Sequence, residues 1–138
     1  MIVVDTNVLA YLLLPGPHTQ RAEALLLQQP QWAAPPLWHS EWRNVLSTYI
    51  RRELLPLPAA IALMQQAETL LAGHDEPVES ELVLRLAASS GCSAYDCEFV
   101  AAAQQLGVPL VTEDRAILAA FPALAQSLAQ ITAQAAQD

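Results

Sequence analysis

The chain has 138 residues, of which 54% are hydrophobic and 14% charged, and its formal net charge is −8. This composition excludes a disordered chain and predicts one folded domain over residues 1–138. All six basic residues are arginine, which excludes chemistry that needs a catalytic or phosphate-binding lysine. No apolar run is long enough to span a membrane, and the N-terminus lacks the basic region of a signal peptide. We therefore expect a cytoplasmic protein with no membrane partner.

Apolar runs and helical patterns alternate along the first part of the chain. Residues 1–4 predict a buried strand, because this β-branched run does not alternate with polar residues. Residues 5–7 offer capping side chains for a first helix, and Thr19 begins a second. A second strand is predicted at 32–34. The clearest helix follows, with an apolar stripe at helical spacing that consists of Trp42, Val45, Leu46, Tyr49 and Ile50.

The second half of the chain repeats this alternation. Helices are predicted at about 58–71, 82–89 and 94–106, the last capped by Ser93 and ended by Gly107. A strand is predicted at 108–112, and a short helix follows it through residue 119. A further strand is predicted at 125–128, followed by a tail that is either helical or disordered. Short apolar strands separated by helices imply an α/β fold with a parallel sheet covered on both faces.

Two aspartates follow the two most convincing strands. Asp5 ends the first strand, and Asp114 occupies the same position after the strand at 108–112. Ligands of open α/β sheets bind at the carboxyl ends of the strands. Either aspartate taken alone is better explained as a helix N-cap. If the two strands are neighbours, however, both carboxylates lie in one crevice.

Two further acids fall on helices that would pack over this crevice. Asp96 is either an ordinary residue of a helix N-terminus or a functional acid on the face that it shares with Val100 and Ala103, where a lone carboxylate is costly. Glu41, beside the apolar stripe, lies either on a solvated edge or in a cleft. Four carboxylates close together repel one another unless a cation neutralises them, and Mg²⁺ and Mn²⁺ prefer such oxygen ligands. A site of this kind favours the cleavage of phosphodiesters by an activated water.

Four segments, in order, carry a resemblance to a known family. They are IVVDTNVL at 2–9, EWRNVL at 41–46, SAYD at 93–96 and LVTEDR at 110–115. Together they resemble PIN-domain ribonucleases, and more closely the VapC-type toxins of bacterial toxin–antitoxin pairs. The resemblance extends over nearly the whole chain. It implies a three-layer α/β/α sandwich with a central, mainly parallel sheet.

The resemblance also implies an activity and its residues. The family's catalytic and metal-binding acids match Asp5, Glu41, Asp96 and Asp114, and its supporting polar positions match Asn7 and Thr112. The implied enzyme is a Mg²⁺- or Mn²⁺-dependent endoribonuclease that uses a metal-activated water and leaves 5′-phosphate and 3′-hydroxyl ends. The implied partners are an RNA substrate, a VapB-like antitoxin and a second copy of the chain in a homodimer.

Several assignments stay open at this point. Arg43 and Arg115 are closest in sequence to the acidic motifs, so each is a candidate for phosphate contact or an ordinary surface arginine. Glu113 is expected to face solvent and Glu98 another helix face. The main alternative function is a catalytically silent PIN-like module that binds RNA or protein. Retention of four mutually repelling acids argues against it. A haloacid-dehalogenase-type phosphatase would need an acid where the chain has Asn7.

Overall fold

In the computed structural model, which describes residues 1–137, four short parallel strands form the central sheet. The strands are β1 (Ile2–Val4), β2 (Trp32–Ala33), β3 (Leu110–Val111) and β4 (Ala125–Gln126). They lie in the order β2-β1-β3-β4, and every neighbouring pair is parallel. The predicted strands are confirmed in place and are shorter than predicted. The extension of the last strand to residue 128 is wrong, because Leu128 begins a helix.

Helices cover both faces of this sheet, so the fold is the three-layer α/β/α sandwich that the sequence predicts. The helices are α1 (Thr6–Leu13), α2 (Thr19–Gln28), α3 (Leu37–Arg51), α4 (Leu57–Leu70), α5 (Ser80–Ser90), α6 (Ala94–Leu106), α7 (Arg115–Ala120) and α8 (Leu128–Gln137). Helix α6 packs against β1 and β3, and α5 packs along α6. Helix α2 packs against both α1 and α8. Over the described part of the chain, no helix has the length and apolar character needed to cross a membrane.

Helix α3 begins earlier than its apolar stripe indicates. It starts directly after two prolines, and Pro36 occupies the N-cap position. Trp38 and Trp42, one turn apart, are both buried in the core, and so is Trp32 on β2. Because all three indole rings are buried, none of them is available to stack on a nucleic-acid base. Because α3 starts at residue 37, Glu41 lies in its second turn.

Polar side chains at three helix starts hold the loops that follow β1, precede α6 and follow β3. Asp5, Ser93 and Asp114 each accept a backbone N–H of the helix that they precede. Gly107 ends α6 in the left-handed region at φ 68°, as its sequence position predicts. These local signals fix where the chain turns at the edge of the sheet.

The strand order makes β1 and β3 neighbours at the centre of the sheet. From β1 the chain crosses to β2 on one side and later returns to β3 on the other. Val4 pairs with Val111, so Asp5 and Thr112 emerge side by side. This place, where the connections diverge, is where open parallel sheets bind ligands.

Candidate active site

A cleft of about 430 Å³ lies at the carboxyl ends of β1 and β3. Its walls include all four predicted carboxylates, which are Asp5, Glu41, Asp96 and Asp114. They come from four different places in the fold: the end of β1, the second turn of α3, the first turn of α6 and the loop after β3. The remaining walls are built mainly from α1 and α3 and include Thr6, Asn7, Tyr11 and Asn44.

Asp5 is the most buried of the four acids, with 9% of its surface exposed. Its Oδ1 accepts the backbone N–H of Thr6 at 2.8 Å. Its Oδ2 accepts the hydroxyl of Thr112 at 2.7 Å and the side-chain amide of Asn7 at 3.5 Å. Burial raises the pKa of Asp5 to about 6, with further contributions from the charges of Glu41 and Asp96, although its hydrogen bonds act in the opposite direction.

Asn7 and Thr112 connect the ends of the two central strands. The fully buried Thr112 hydroxyl, besides donating to Asp5, accepts the backbone N–H of Asp114 at 3.0 Å. Asn7 Oδ1 accepts the backbone N–H of Glu113 at 3.3 Å. The side chains of Asn7 and Thr112 therefore fix the position of Asp5 relative to the loop that carries Asp114.

Thr6 holds Glu41, a role that its position in the sequence does not predict. The Thr6 hydroxyl donates to Glu41 Oε1 at 2.7 Å, which joins the first turn of α1 to α3. Burial raises the pKa of Glu41, and the charge of Asp96 raises it further. The only signal in the sequence is the position of Thr6 between Asp5 and Asn7, which predicts a capping residue.

Asp96 and Asp114 lie near helix starts and also face the cleft. Asp96 is fixed in the first turn of α6 by its backbone N–H, which donates to the hydroxyl of Ser93 at 3.0 Å. Asp114 Oδ1 accepts the N–H of Ile117 at 3.0 Å and so caps α7. Burial raises the pKa of Asp96, and the charge of Asp114 adds to this effect. The capping role of Asp114 thus leaves its second carboxylate oxygen for the cleft.

Four other charged residues near the acidic motifs, Arg43, Glu98, Glu113 and Arg115, do not line the cleft. Arg43 is exposed and lies along a groove between α3 and α4, and Arg115 is exposed at the start of α7. Glu98 borders a separate depression beside α5, although burial and the charge of Glu41 raise its pKa. The prediction that Glu113 faces solvent is wrong. It is half-buried, and its Oε1 accepts the backbone N–H of Leu128 at 2.7 Å, where α8 begins.

The donor set fits a hard divalent cation in its chemistry. Within residues 1–137, no three His, Cys, Asp or Glu side chains stand close enough together to hold a metal ion without adjustment. Yet four carboxylates face one cleft, and the pKa values of Asp5, Glu41 and Asp96 are raised. A cation would relieve both their burial and their repulsion. Over residues 1–133, the second oxygens of Glu41 and Asp114 accept no hydrogen bond and are available as ligands.

The fold and this cleft define a class of protein, namely a parallel α/β/α sandwich with carboxylates gathered where its central strands end. The family profile described as the PIN domain matches residues 2–122. The chain belongs to the PIN domain family, and the resemblance noted from four short motifs is confirmed.

Individual relatives agree with this assignment. Ribonuclease VapC3 of Pyrobaculum aerophilum is 29% identical over 126 residues, which cover 89% of this chain and 96% of that protein. The crystal structure of PAE2754 from Pyrobaculum aerophilum is similar with a TM-score of 0.77 and 22% identity, covering 99% of this chain and 97% of that one. The crystal structure of FitAcB from Neisseria gonorrhoeae gives a TM-score of 0.74 and 20% identity, covering 93% and 98%. At these identities the two structures support the fold.

Proposed function

We propose that the chain is a divalent-metal-dependent endoribonuclease and the toxin of a VapBC-type toxin–antitoxin pair. The observation that carries the proposal is the convergence of Asp5, Glu41, Asp96 and Asp114 on one cleft. Membership of the PIN domain family and the similarity to a protein named ribonuclease VapC3 support it.

The four acids would hold Mg²⁺ or Mn²⁺. When bound, the cation supplies a Lewis acid that activates water and stabilises the charge that develops as a phosphodiester is hydrolysed. Asp5, with a pKa of about 6, is mostly ionised at neutral pH and is held by Thr112, Asn7 and the N–H of Thr6. Thr6 fixes Glu41 in the same way. These neighbours orient the carboxylates before the substrate arrives, and the expected products carry 5′-phosphate and 3′-hydroxyl ends.

RNA must approach this cleft against a net charge of −8. We assign Arg115 to phosphate contact because it is exposed and follows Asp114, a residue of the cleft wall. Arg43 precedes Asn44, which also lines the cleft, but its own side chain lies along the groove between α3 and α4. We therefore assign Arg43 a smaller share of RNA binding.

The proposal includes an antitoxin and a homodimer. The groove between α3 and α4 is lined largely by apolar side chains, and Leu57 and Ile61 on it are 58% and 49% exposed. Such a groove suits an amphipathic helix of a VapB-like partner. Co-expression with the product of the neighbouring reading frame, followed by light scattering on a sizing column, tests both the complex and the state of the chain alone. If the chain is recovered only as a monomer and forms no complex with this product, this part of the proposal is contradicted.

The nuclease activity is tested with purified protein and total cellular RNA, in Mg²⁺, in Mn²⁺ and in EDTA. The variants are Asp5→Ala and Asp96→Asn, and Glu23→Gln is the matched control because Glu23 is an exposed acid on α2. Loss of an outer partner of a metal ligand commonly costs about 10- to 100-fold, so each cleft variant should lose more than about 100-fold. The control should cleave like wild type.

A second readout separates this function from the silent binding module. Isothermal titration of wild type with Mn²⁺ should release or absorb heat, and the Asp96→Asn variant should bind more weakly. Circular dichroism confirms that each variant is folded. Metal-independent cleavage, or RNA binding with neither cleavage nor metal uptake, would contradict the nuclease and favour the silent module.

A further inference from the structure

A second pocket, of about 200 Å³, adjoins the acidic cleft. The two share Ala10 and Tyr11, so Tyr11 stands between the carboxylates and the second pocket. The lining of the second pocket also includes His18 and Tyr49. The rings of Tyr11 and His18 contact each other, with centroids 4.5 Å apart and planes tilted by 46°. We call this region, bounded by Tyr11, His18 and Tyr49, the aromatic pocket.

In the loop between α1 and α2, which borders the aromatic pocket, backbone groups form hydrogen bonds within the loop itself. Thr19 donates its hydroxyl to the Leu14 carbonyl at 3.1 Å and accepts the Gly16 N–H at 3.0 Å. The two prolines of this loop, Pro15 and Pro17, have no N–H to offer. What remains for a ligand is the outer faces of the rings, those that Tyr11 and His18 do not turn toward each other, and the two tyrosine hydroxyls, which form no hydrogen bond within residues 1–133. This chemistry suits a flat, uncharged ring with polar edges.

We propose that the aromatic pocket receives the nucleobase of the RNA residue next to the scissile phosphodiester. The inference rests on the proposed nuclease function, because it places the phosphodiester in the acidic cleft. The shared wall at Tyr11 brings a base within reach of the aromatic rings while the phosphate stays near the carboxylates. Stacking on aromatic rings is how proteins commonly hold unpaired RNA bases.

Charge favours a base over a phosphate in this position. Four acids line the adjoining cleft, and the chain as a whole carries −8, so a phosphate would be repelled where a neutral base is not. Burial, together with the charges of Glu113 and Asp5, raises the pKa of Tyr11. Its hydroxyl therefore stays protonated at neutral pH and donates to an acceptor on the edge of the base.

The first test needs neither metal nor cleavage. Wild-type protein in EDTA is titrated with each of the four uncharged ribonucleosides while the ring resonances of Tyr11 and His18 are followed by NMR. We expect ring-current shifts for both residues, reduced at least severalfold at the remaining ring in Tyr11→Leu and in His18→Ala. His74→Ala is the matched control, because His74 lines neither the cleft nor the aromatic pocket. Shifts produced by inorganic phosphate and not by any nucleoside would overturn the proposal.

The second test locates the base along the RNA. A short cleavable oligoribonucleotide is compared with copies that each lack one base. For wild type, removal of the base next to the cut should lower kcat/KM about 5- to 150-fold, the range for loss of one stacked base. The Tyr11→Leu and His18→Ala variants should be nearly indifferent to that missing base.

The two tests separate this subsite from the nuclease proposal. Nucleoside shifts in a protein that cuts no RNA would support the base pocket and contradict the nuclease. Metal-dependent cleavage that is equally sensitive to every missing base, with no nucleoside shifts, would overturn the base pocket and leave the nuclease standing. Binding of an antitoxin peptide that abolishes cleavage and shifts these rings where nucleosides do not would assign the pocket to the protein partner instead.

Discussion

Thr112 donates its hydroxyl hydrogen to Oδ2 of Asp5 across 2.7 Å, joining two buried residues that are 107 positions apart. The contact exists because Val4 and Val111, the residues before them, are paired in neighbouring parallel strands. The same hydroxyl oxygen accepts the N–H of Asp114. The Thr112 side chain thus links Asp5, the first acid of the cleft along the chain, to the backbone of Asp114, the last.

Thr112→Val should destabilise the protein by about 1–3 kcal/mol. The substitution keeps the shape of the side chain and removes a hydroxyl that serves two buried partners, leaving Asp5 with fewer donors. The pKa of Asp5 should rise further for the same reason. Urea unfolding measures the change, and Thr69→Val, an exposed threonine on α4, should stay within about 0.5 kcal/mol of wild type. Equal effects of the two substitutions would contradict the role of Thr112.

The sequence was sufficient for the sheet and for the four acids of the cleft. The positions of Asp5 and Asp114 can be predicted from neighbouring residues, because each aspartate follows an apolar run and precedes a helix. Parallel strands place their carboxyl ends at one edge, so the convergence of these acids follows from the strand order. Ser93 and Gly107 marked the ends of α6 through the same kind of local chemistry.

The features that could not be predicted depend on partners distant in sequence. Thr6 reaches Glu41, 35 residues away, and Glu113 reaches the start of α8, 15 residues on. The residues adjacent to Thr6 and Glu113 in the sequence do not predict these contacts. The indole N–H of Trp38 likewise donates to Asp75 at 2.8 Å, a partner 37 residues away in the segment between α4 and α5. Packing of whole elements against one another, rather than local pattern, decides these cases.

Stability without metal should fall as the pH rises from about 4 to about 6. The pKa of Asp5 is raised from 3.8 to about 6 in the folded protein, so folding favours its protonated form, and this advantage disappears as the carboxyl ionises. The rise in the pKa of Asp5 from 3.8 to about 6 corresponds to roughly 3 kcal/mol of unfolding free energy. Burial raises the pKa values of Glu41 and Asp96 in the same direction. Urea unfolding in EDTA between pH 4 and 7.5 measures the slope.

Controls for the pH experiment isolate Asp5 and the metal. Asp5→Asn should flatten the profile, whereas Glu23→Gln, an exposed acid, should keep the wild-type slope. Saturating Mn²⁺ should stabilise wild type more at pH 7.5 than at pH 5, because a ligand that binds the native state adds to its stability and protonated acids bind metal poorly. A wild-type profile that matches Asp5→Asn would show that the burial of this acid does not govern the response.

Thr6 is a positioning residue for Glu41, and a pair of substitutions tests this. Thr6→Val removes the hydroxyl that donates to Glu41 Oε1 and keeps the branched shape, so we expect a loss of about 10- to 100-fold in metal-dependent cleavage. Thr6→Ser retains the hydroxyl and should recover most of this activity. Mn²⁺ affinity by calorimetry should follow the same order. Equal activity of the two variants would mean that the hydroxyl does not orient Glu41.

The arginines should differ in the salt dependence of RNA binding. Each phosphate contact on a single strand contributes about 0.7 to the slope of log affinity against log salt. Arg115→Gln should lower that slope by about this amount, while Arg43→Gln, whose side chain lies along the groove between α3 and α4, should change it less. Filter binding of a non-cleaved RNA with the Asp96→Asn protein over a range of salt concentrations measures both. The reverse order would place the RNA across α3 and α4.

Glu113 offers a contrast between an acid that holds the fold and the acids of the cleft. Its carboxylate accepts the backbone N–H of Leu128, the first residue of α8, and Leu128 and Ile131 of that helix are buried. Glu113→Leu removes this acceptor and should cost about 0.5–2 kcal/mol of unfolding free energy, whereas Glu113→Gln keeps a side-chain oxygen and should cost less. Because Glu113 does not line the cleft, folded Glu113→Gln should retain metal-dependent cleavage. A loss as large as that of Asp96→Asn would instead count Glu113 among the acids that act on the substrate.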